Sequence, residues 1–326
     1  MQGTFRRFSW RPCSLRPKPV IAFTSGDPSG IGPEAVLAAL RRGRLLRLCR
    51  PLMIGETSVW HRAGWRPGAI PVWDTGLGMD PPCYGRVTKA GGAMSFAAVA
   101  AAVRLAARGL VDAIVTAPIS KEAWSLAGVS DRDHTEYLRS VTGVDAQMIL
   151  AAPQRGLWCV LVTRHVSLAR ACGALSSTGV LVAARALDRA LRQVGSRRPR
   201  LVLCGLNPHA GESGLLGSEE RRVLVPAVRR ARRAGLALSG PLPADAAWRL
   251  HAEGGCDGLV CLYHDQAMIG LKAVAGLGVV NWTAGLPFVR VSPGHGTAFD
   301  AAGQGRADPE ATIVATRLAV RLACSA

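Results

Sequence analysis

Three histidines in this chain each follow a short apolar run typical of a buried β-strand: His165 follows CVLVT, His209 follows LVLCGL, and His264 follows GLVCLY. Chemistry in α/β proteins concentrates where strands end. Three neutral imidazoles can hold one divalent cation and leave a coordination position open for substrate. The histidines therefore predict a catalytic metal site. The alternative is that they are unrelated residues capping backbone groups, which is the commoner role for any one of them alone.

A second set of polar residues has the chemistry of an anion site. Lys272, Asn281 and Arg290 follow one another at intervals of nine, and His134 and Thr135 form a polar pair in DHTEYL. Two cations supply charge for a phosphate or carboxylate, and an amide fixes its orientation. Lysine is rare in the chain and Lys272 lies in a largely apolar stretch, which favours a functional role. The spacing alone leaves open whether these residues converge.

Carboxylates near the histidines are candidates for proton transfer. Asp245 in GPLPADAAW and Asp265, which adjoins His264, each have the chemistry to act as a base or to orient a metal-bound histidine. Glu212 and His295 lie in glycine-rich turns, where polar side chains commonly tie down the loop. For these two residues we favour the structural interpretation.

The elements that must position these residues alternate between apolar strands and helices, a pattern that predicts an α/β fold. The first strand, PVIAFTSG, leads into the loop GDPSGIGPE and then the helix EAVLAALRRG. The loop matches neither the G-x-G-x-x-G fingerprint nor a phosphate-binding P-loop, so its nucleotide signal is weak. A chain of 326 residues suits two domains or one two-lobed unit.

Composition narrows the class of partner and the location. The net charge of +18 comes mostly from arginines scattered over helix faces, without interleaved aromatics, so we expect no nucleic-acid partner. Nine cysteines, with no C-x-x-C pair, favour reduced core thiols in a cytoplasmic protein. Charges interrupt the most alanine-rich segment, so we expect no membrane span. Residues 1–18 lack a secretory apolar block and are predicted to be a disordered extension.

Taken together, the motifs resemble 4-hydroxythreonine-4-phosphate dehydrogenases of pyridoxal phosphate biosynthesis. The resemblance runs from about Val20 to the end, through TSGDPSGIGPE, VTAPISKEAW, DHTEYL, LNPHAGESGLLGSEE, GPLPAD, LYHDQ and GLPFVRVSPGHGTAFDAAGQGRAD. The family pattern YHDQGLIPLK appears here as YHDQAMIGLK, and SPDHGTA appears as SPGHGTA. Ala267, Gly270 and Gly294 are therefore departures from that pattern.

The resemblance implies a two-lobed fold similar to isocitrate and isopropylmalate dehydrogenases, with an active-site cleft between interleaved lobes and no Rossmann fingerprint. Residues 19–130 with 290–326 are expected to form the first lobe. Residues 131–289 are expected to form the second lobe, with the metal ligands and the interface of a homodimer that shares its active site.

The resemblance also implies roles for individual residues. The implied metal ligands are His165, His209 and His264. The implied substrate contacts are His134, Thr135, Lys272, Asn281 and Arg290. Asp245, Asp265 and Lys272 are the candidates for catalysis, and no cofactor-binding residue is identified.

The implied reaction uses NAD or NADP and one divalent metal (zinc, magnesium or cobalt). It oxidises the C3 hydroxyl of a small anionic substrate, 4-phosphooxy-L-threonine, and decarboxylation then gives 3-amino-2-oxopropyl phosphate. The alternative is a sibling dehydrogenase that acts on 4-phospho-D-erythronate or an aromatic dihydrodiol.

Overall fold

The computed structural model describes residues 17–68, 70–164 and 166–325. This part of the chain divides into two compact units. The first unit contains residues 17–146 and 280–325, and the second contains residues 147–279. Residues 1–16 of the anticipated extension lie outside the described residues, as does His165.

Strands and helices alternate along most of the chain, which confirms the predicted α/β class. The strands are β1 (Val20–Thr24), β2 (Arg50–Ile54), β3 (Val72–Trp73), β4 (Ala113–Thr116), β5 (Gln147–Ala152), β6 (Leu157–Leu161), β7 (Arg200–Cys204), β8 (Ala237–Leu242), β9 (Gly258–Cys261), β10 (Val280–Ala284) and β11 (Val289–Pro293). The helices are α1 (Gly32–Arg42), α2 (Thr57–Arg62), α3 (Lys89–Ala107), α4 (Lys121–Leu126), α5 (His134–Thr142), α6 (Leu168–Ala174), α7 (Ser177–Gln193), α8 (Val225–Arg233), α9 (Ala244–Ala252), α10 (His264–Ala275) and α11 (Glu310–Ser325).

The sheet of the first unit has the strand order β3-β2-β1-β4-β11-β10. Its strand pairs are parallel except β10 with β11, which is antiparallel. The alanine-rich α3 packs on this sheet with Ala22 and Ile114 in one core cluster. By length and composition α3 is apolar enough to cross a membrane, but 67% of its apolar window is buried, as is typical of a core helix.

The sheet of the second unit has the order β5-β6-β9-β7-β8, with β5 antiparallel to β6 and the other pairs parallel. Its central strands are apolar and buried except for Arg200 at the start of β7, and Cys159, Cys204 and Cys261 lie in the same core. The eight cysteines of the described chain are all free thiols.

The border between the units differs from the one expected for the lobes. Residues 131–146 and 280–289 belong to the first unit, although the sequence assigned them to the second lobe. Packing explains the first segment, because the rings of Tyr137 and Phe96 meet edge to face with centroids 5.1 Å apart. Strand pairing explains the second segment, because β10 is hydrogen-bonded to β11.

Candidate active site

The predicted site residues fall into two groups, one in each unit. His134, Thr135, Asn281 and Arg290 lie in the first unit. His209, Asp245, His264, Asp265 and Lys272 lie in the second unit.

Arg290 on β11 is a buried cation, with only 3% of its surface exposed. Its Nη1 donates to the hydroxyl of Thr283 at 2.8 Å and its Nη2 to that of Thr116 at 2.5 Å, while Nε is buried without a partner. Burial lowers the pKa of Arg290 to about 10, so the group stays charged at neutral pH. Its direct partners are two hydroxyls, and the charge of Asp133 stabilises it electrostatically. A buried charge that is only partly compensated is costly in free energy. The arrangement therefore favours an anionic ligand.

His134 is the first residue of α5 and lies within the electrostatic reach of Arg290. The helix begins here because Asp133 caps it, accepting hydrogen bonds from the main-chain N–H of Thr135 at 2.8 Å and of Glu136 at 3.1 Å. Burial, followed by the charge of Arg290, holds the pKa of His134 well below its usual value. The ring is therefore neutral at pH 7, and its Nε2 is buried without a partner.

Asp133 compensates the charge of Arg290 only in part, through its electrostatic field. Its carboxylate pairs with the Lys121 ammonium at 3.1 Å as well as capping the helix. Burial alone would raise the pKa of Asp133, but hydrogen bonds from Glu136 and Lys121 outweigh it and keep the pKa low. Part of the charge of Arg290 is thus available to a ligand.

Asn281 on β10 lies on the same sheet face as Thr283, because alternate residues of a strand share a face. Arg290 faces Thr283 across the antiparallel pair and bonds it, so Asn281 shares that face with the guanidinium. The Oδ1 of Asn281 is buried without a partner. His134, Asn281 and Arg290 thus each have one buried polar atom unsatisfied, as expected of side chains that contact a polar ligand.

His264 in the second unit is exposed and is the first residue of α10. Its Nδ1 lies 2.7 Å from Oδ1 of Asp265. A carboxylate at Nδ1 fixes the tautomer that presents the Nε2 lone pair, which is the usual arrangement behind a metal-bound histidine. Lys272 is exposed two turns further along the same helix, and Asp245 is exposed in the first turn of α9.

His209 lies in a left-handed turn (Pro208–Gly214) with unusual backbone. Its φ is 53°, and the next four residues also have positive φ, three of them with side chains. Such residues carry about 1 to 2 kcal/mol of strain each, and strain of this kind concentrates at functional sites. Glu212 is exposed within the same turn.

Glu220 holds this strained turn in place, a role that the sequence did not reveal. Its Oε1 accepts hydrogen bonds from the main-chain N–H of Leu206 and of Asn207, both at 2.8 Å. Its Oε2 accepts from the Asn207 amide at 2.9 Å. Burial would raise the pKa of Glu220, but the bonds from Asn207 and Leu206 outweigh it and hold the pKa below its usual value.

In the described part of the chain no three histidine, cysteine or acidic side chains cluster closely enough to hold a metal. Since His165 lies outside that part, the three-histidine site stays a prediction. The glycine loop after β1 packs against the late segment SPGHGTAFD, where Ile31 N–H bonds Thr297 O at 3.0 Å. His295 lies in that segment, with its Nδ1 2.9 Å from the carbonyl oxygen of the next residue.

Comparison with known proteins links these features to one family. The model of the family described as "Pyridoxal phosphate biosynthetic protein PdxA" matches residues 38–319. A putative D-threonate 4-phosphate dehydrogenase of Symbiobacterium thermophilum is 40% identical over 94% of this chain and 98% of its own length. A 4-hydroxythreonine-4-phosphate dehydrogenase of Desulfosudis oleivorans is 39% identical over 94% and 96%. The crystal structure of a 4-hydroxythreonine-4-phosphate dehydrogenase from Klebsiella pneumoniae is 37% identical, covers 95% of this chain and 99% of its own, and gives a TM-score of 0.81.

Proposed function

The chain belongs to the PdxA family of pyridoxal phosphate biosynthetic proteins, and from that premise we propose that it is a 4-hydroxythreonine-4-phosphate dehydrogenase. It oxidises the C3 hydroxyl of 4-phosphooxy-L-threonine with NAD or NADP. The resulting 3-oxo acid loses carbon dioxide and leaves 3-amino-2-oxopropyl phosphate. The observation that carries the proposal is the buried guanidinium of Arg290, whose Nε has no partner, together with the unsatisfied atoms of His134 and Asn281.

These residues of the first unit bind an anionic group of the substrate. The guanidinium supplies charge, and Nε is a donor not used by the protein. The neutral ring of His134 and the amide of Asn281 add directional hydrogen bonds, with Thr135 next to the ring. A substrate held at several points brings its reacting carbon to one fixed place, which accounts for a large part of enzymatic rate enhancement.

A divalent metal fits the donor set of the second unit, because the carboxylate of Asp265 already orients the ring of His264. His264 and His209, together with His165, would hold the metal. When bound, such an ion lowers the pKa of a coordinated hydroxyl and stabilises negative charge on oxygen. Asp265 is engaged in orienting His264, which favours Asp245 as the group that accepts the hydroxyl proton, while the ammonium of Lys272 supplies positive charge to the substrate.

Exposed apolar side chains in the second unit support a homodimer. Leu215 is 82% exposed and Ile269 is 70% exposed, and they follow His209 and His264 by six and five residues. Apolar surface of this kind is typical of an interface. We propose a cytoplasmic homodimer in which both chains contribute to each metal site. Analytical ultracentrifugation tests this proposal. Leu215→Glu and Ile269→Glu should shift the protein from dimer to monomer, and an unchanged sedimentation coefficient in both variants would contradict it.

The second candidate substrate is D-threonate 4-phosphate, because a relative with 40% identity carries that name. The two substrates differ at C2, which bears an amine in one and a hydroxyl in the other. Both carry the phosphate and the carboxylate that Arg290 suits. The choice between them is therefore one of specificity within the same reaction type.

The test is the formation of NADH or NADPH from each substrate with purified protein and a divalent metal. Turnover of 4-phosphooxy-L-threonine with a higher kcat/KM than D-threonate 4-phosphate supports the proposal. The reverse order assigns the second candidate. If neither substrate yields reduced cofactor, the proposed function is refuted. If the Arg290→Met variant has the same kcat/KM as the wild type, the role of Arg290 in binding the substrate is refuted.

A further inference from the structure

We propose that Trp248 and Gly270 form a matched pair that positions helix α10. This helix carries His264 at its first residue and Lys272 in its last turn. Its placement therefore sets two predicted functional side chains at once. The inference rests on the proposed function for the roles of these two residues, but the contacts themselves do not depend on it.

The first turn of α10 is fixed from inside by Gln266, whose side chain is buried. Its Oε1 accepts a hydrogen bond from Leu262 N–H at 2.7 Å, and its Nε2 donates to Gly205 O at 2.8 Å. Those partners lie just beyond β9 and β7. The helix is thereby tied to the ends of two neighbouring strands.

The outer tie comes from α9. The indole Nε1 of Trp248 donates to the main-chain oxygen of Gln266 at 2.8 Å. Gly270 lies one turn further along, on the same helix face, because residues four apart are neighbours on a helix surface. A Cβ on Gly270 would lie 2.4 Å from both Cδ2 and Cε2 of Trp248. The indole therefore spans one turn of α10 and fills the space that any side chain at Gly270 would need.

Glycine is otherwise a poor choice in the middle of a helix. Its presence at a position where the related pattern has proline is explained by the indole that covers it. The indole extends from α9, which is itself fixed to the sheet. His251 on α9 is 2% exposed, and its Nε2 accepts a hydrogen bond from the main-chain N–H of Trp158 on β6 at 2.9 Å. Trp248 and Gly270 are thus positioning residues, which act on substrate and metal only through His264 and Lys272.

The chain offers a matched control for substitution of Gly270. Gly173 in α6 has no atom within 4 Å of where a Cβ would lie. Alanine fits there and favours the helix. Gly270→Ala instead pushes Trp248 away or displaces α10, and Trp248→Leu removes the obstructing ring.

Cobalt(II) binding, measured by competition with a chromogenic chelator, reports on the position of His264. We expect Gly270→Ala to weaken binding about tenfold, as substitutions behind metal ligands commonly do. Gly173→Ala should bind as the wild type does. In the Trp248→Leu background, Gly270→Ala should cause no further loss. Equal binding by Gly270→Ala and wild type, or the same loss in both backgrounds, overturns the pairing.

Hydrogen exchange of the metal-free protein separates this inference from the proposed function. Gly270→Ala should speed exchange in residues 264–275 while the rest of the second unit stays protected. Exchange that is unchanged, or faster throughout residues 147–279, overturns the positioning role. If His264→Ala binds cobalt as tightly as wild type, the metal site is wrong, and the exchange data still decide the pairing.

Discussion

Glu220 offers the sharpest single test of how the second unit supports its strained turn. Its carboxylate accepts three hydrogen bonds from Leu206 and Asn207, which immediately precede the turn that carries His209. Glutamine has the same shape but carries a donor on one side. In Glu220→Gln that NH2 group must face either two main-chain N–H groups or the Asn207 amide, so one donor opposes another.

The expected loss follows from these bonds. A hydrogen bond to a charged group contributes roughly 1.5 to 3 kcal/mol, about twice a neutral one. In Glu220→Gln the two main-chain bonds weaken by about 1 kcal/mol each and the third bond is lost. The free energy of unfolding should therefore fall by roughly 3.5 to 5 kcal/mol.

Urea unfolding at pH 7, followed by circular dichroism, measures this loss. Glu219 supplies the control, because its carboxylate is near the surface and accepts one bond from Asn207 at 2.8 Å. Glu219→Gln should lower the free energy by less than about 1 kcal/mol. Equal midpoints for wild type and Glu220→Gln would refute the argument.

The pH dependence of the Glu220→Gln effect gives an independent check. The folded-state pKa of Glu220 lies below its ordinary value of 4.5. The unfolded chain therefore takes up the proton first as the pH falls. The stabilisation is present above pH 4.5 and is lost as the pH falls through the folded-state pKa. The free energies of unfolding of wild type and Glu220→Gln should thus become equal in strong acid.

Three further outcomes are expected. Burial lowers the pKa of His251 from 6.5 to about 4, so about 3 kcal/mol of stability should be lost as the pH falls from 6.5 to about 4. In His251→Gln the free energy of unfolding should depend less on pH in that range. The same pH dependence in variant and wild type would contradict this expectation. Arg290→Lys keeps the charge but loses the planar guanidinium that bonds Thr283 and Thr116. The kcat/KM should therefore fall at least about tenfold. A kcat/KM close to that of the wild type would mean that the guanidinium geometry is not needed. The net charge of +18 should attract an anionic substrate, so kcat/KM should decline between about 0.02 and 0.2 M salt; a flat profile would show that the charge is not felt at the site.

The sequence predicted the features that depend on local pattern. Strands were expected before His209 and His264, and β7 and β9 end just before them. The DHT motif predicted a functional pair, and Asp133 caps the helix that begins there. Apolar periodicity and capping are local, so they can be identified without the fold.

What the sequence could not predict depends on residues distant in the chain. The environment of Arg290 depends on Thr116, a hydrogen-bond partner 174 positions away in the sequence. Glu220 was missed because two of its three hydrogen bonds come from the main-chain N–H groups of Leu206 and Asn207, which leave no pattern in residue type. The nearest signal was the acidic pair GSEE after the turn.

The first unit is made from segments on either side of the second unit, and this affects the order of assembly. Strand β11 lies between β4 and β10 in its sheet, so the sheet stays incomplete until residues 289–293 have been synthesised. The second unit, residues 147–279, is synthesised without interruption and can fold while that sheet waits. Closing so long a loop is slow. Because Arg290 lies on the strand that completes the sheet, its charge becomes buried only when β11 pairs with β4 and β10, and a chain that stops before β11 lacks the predicted anion site.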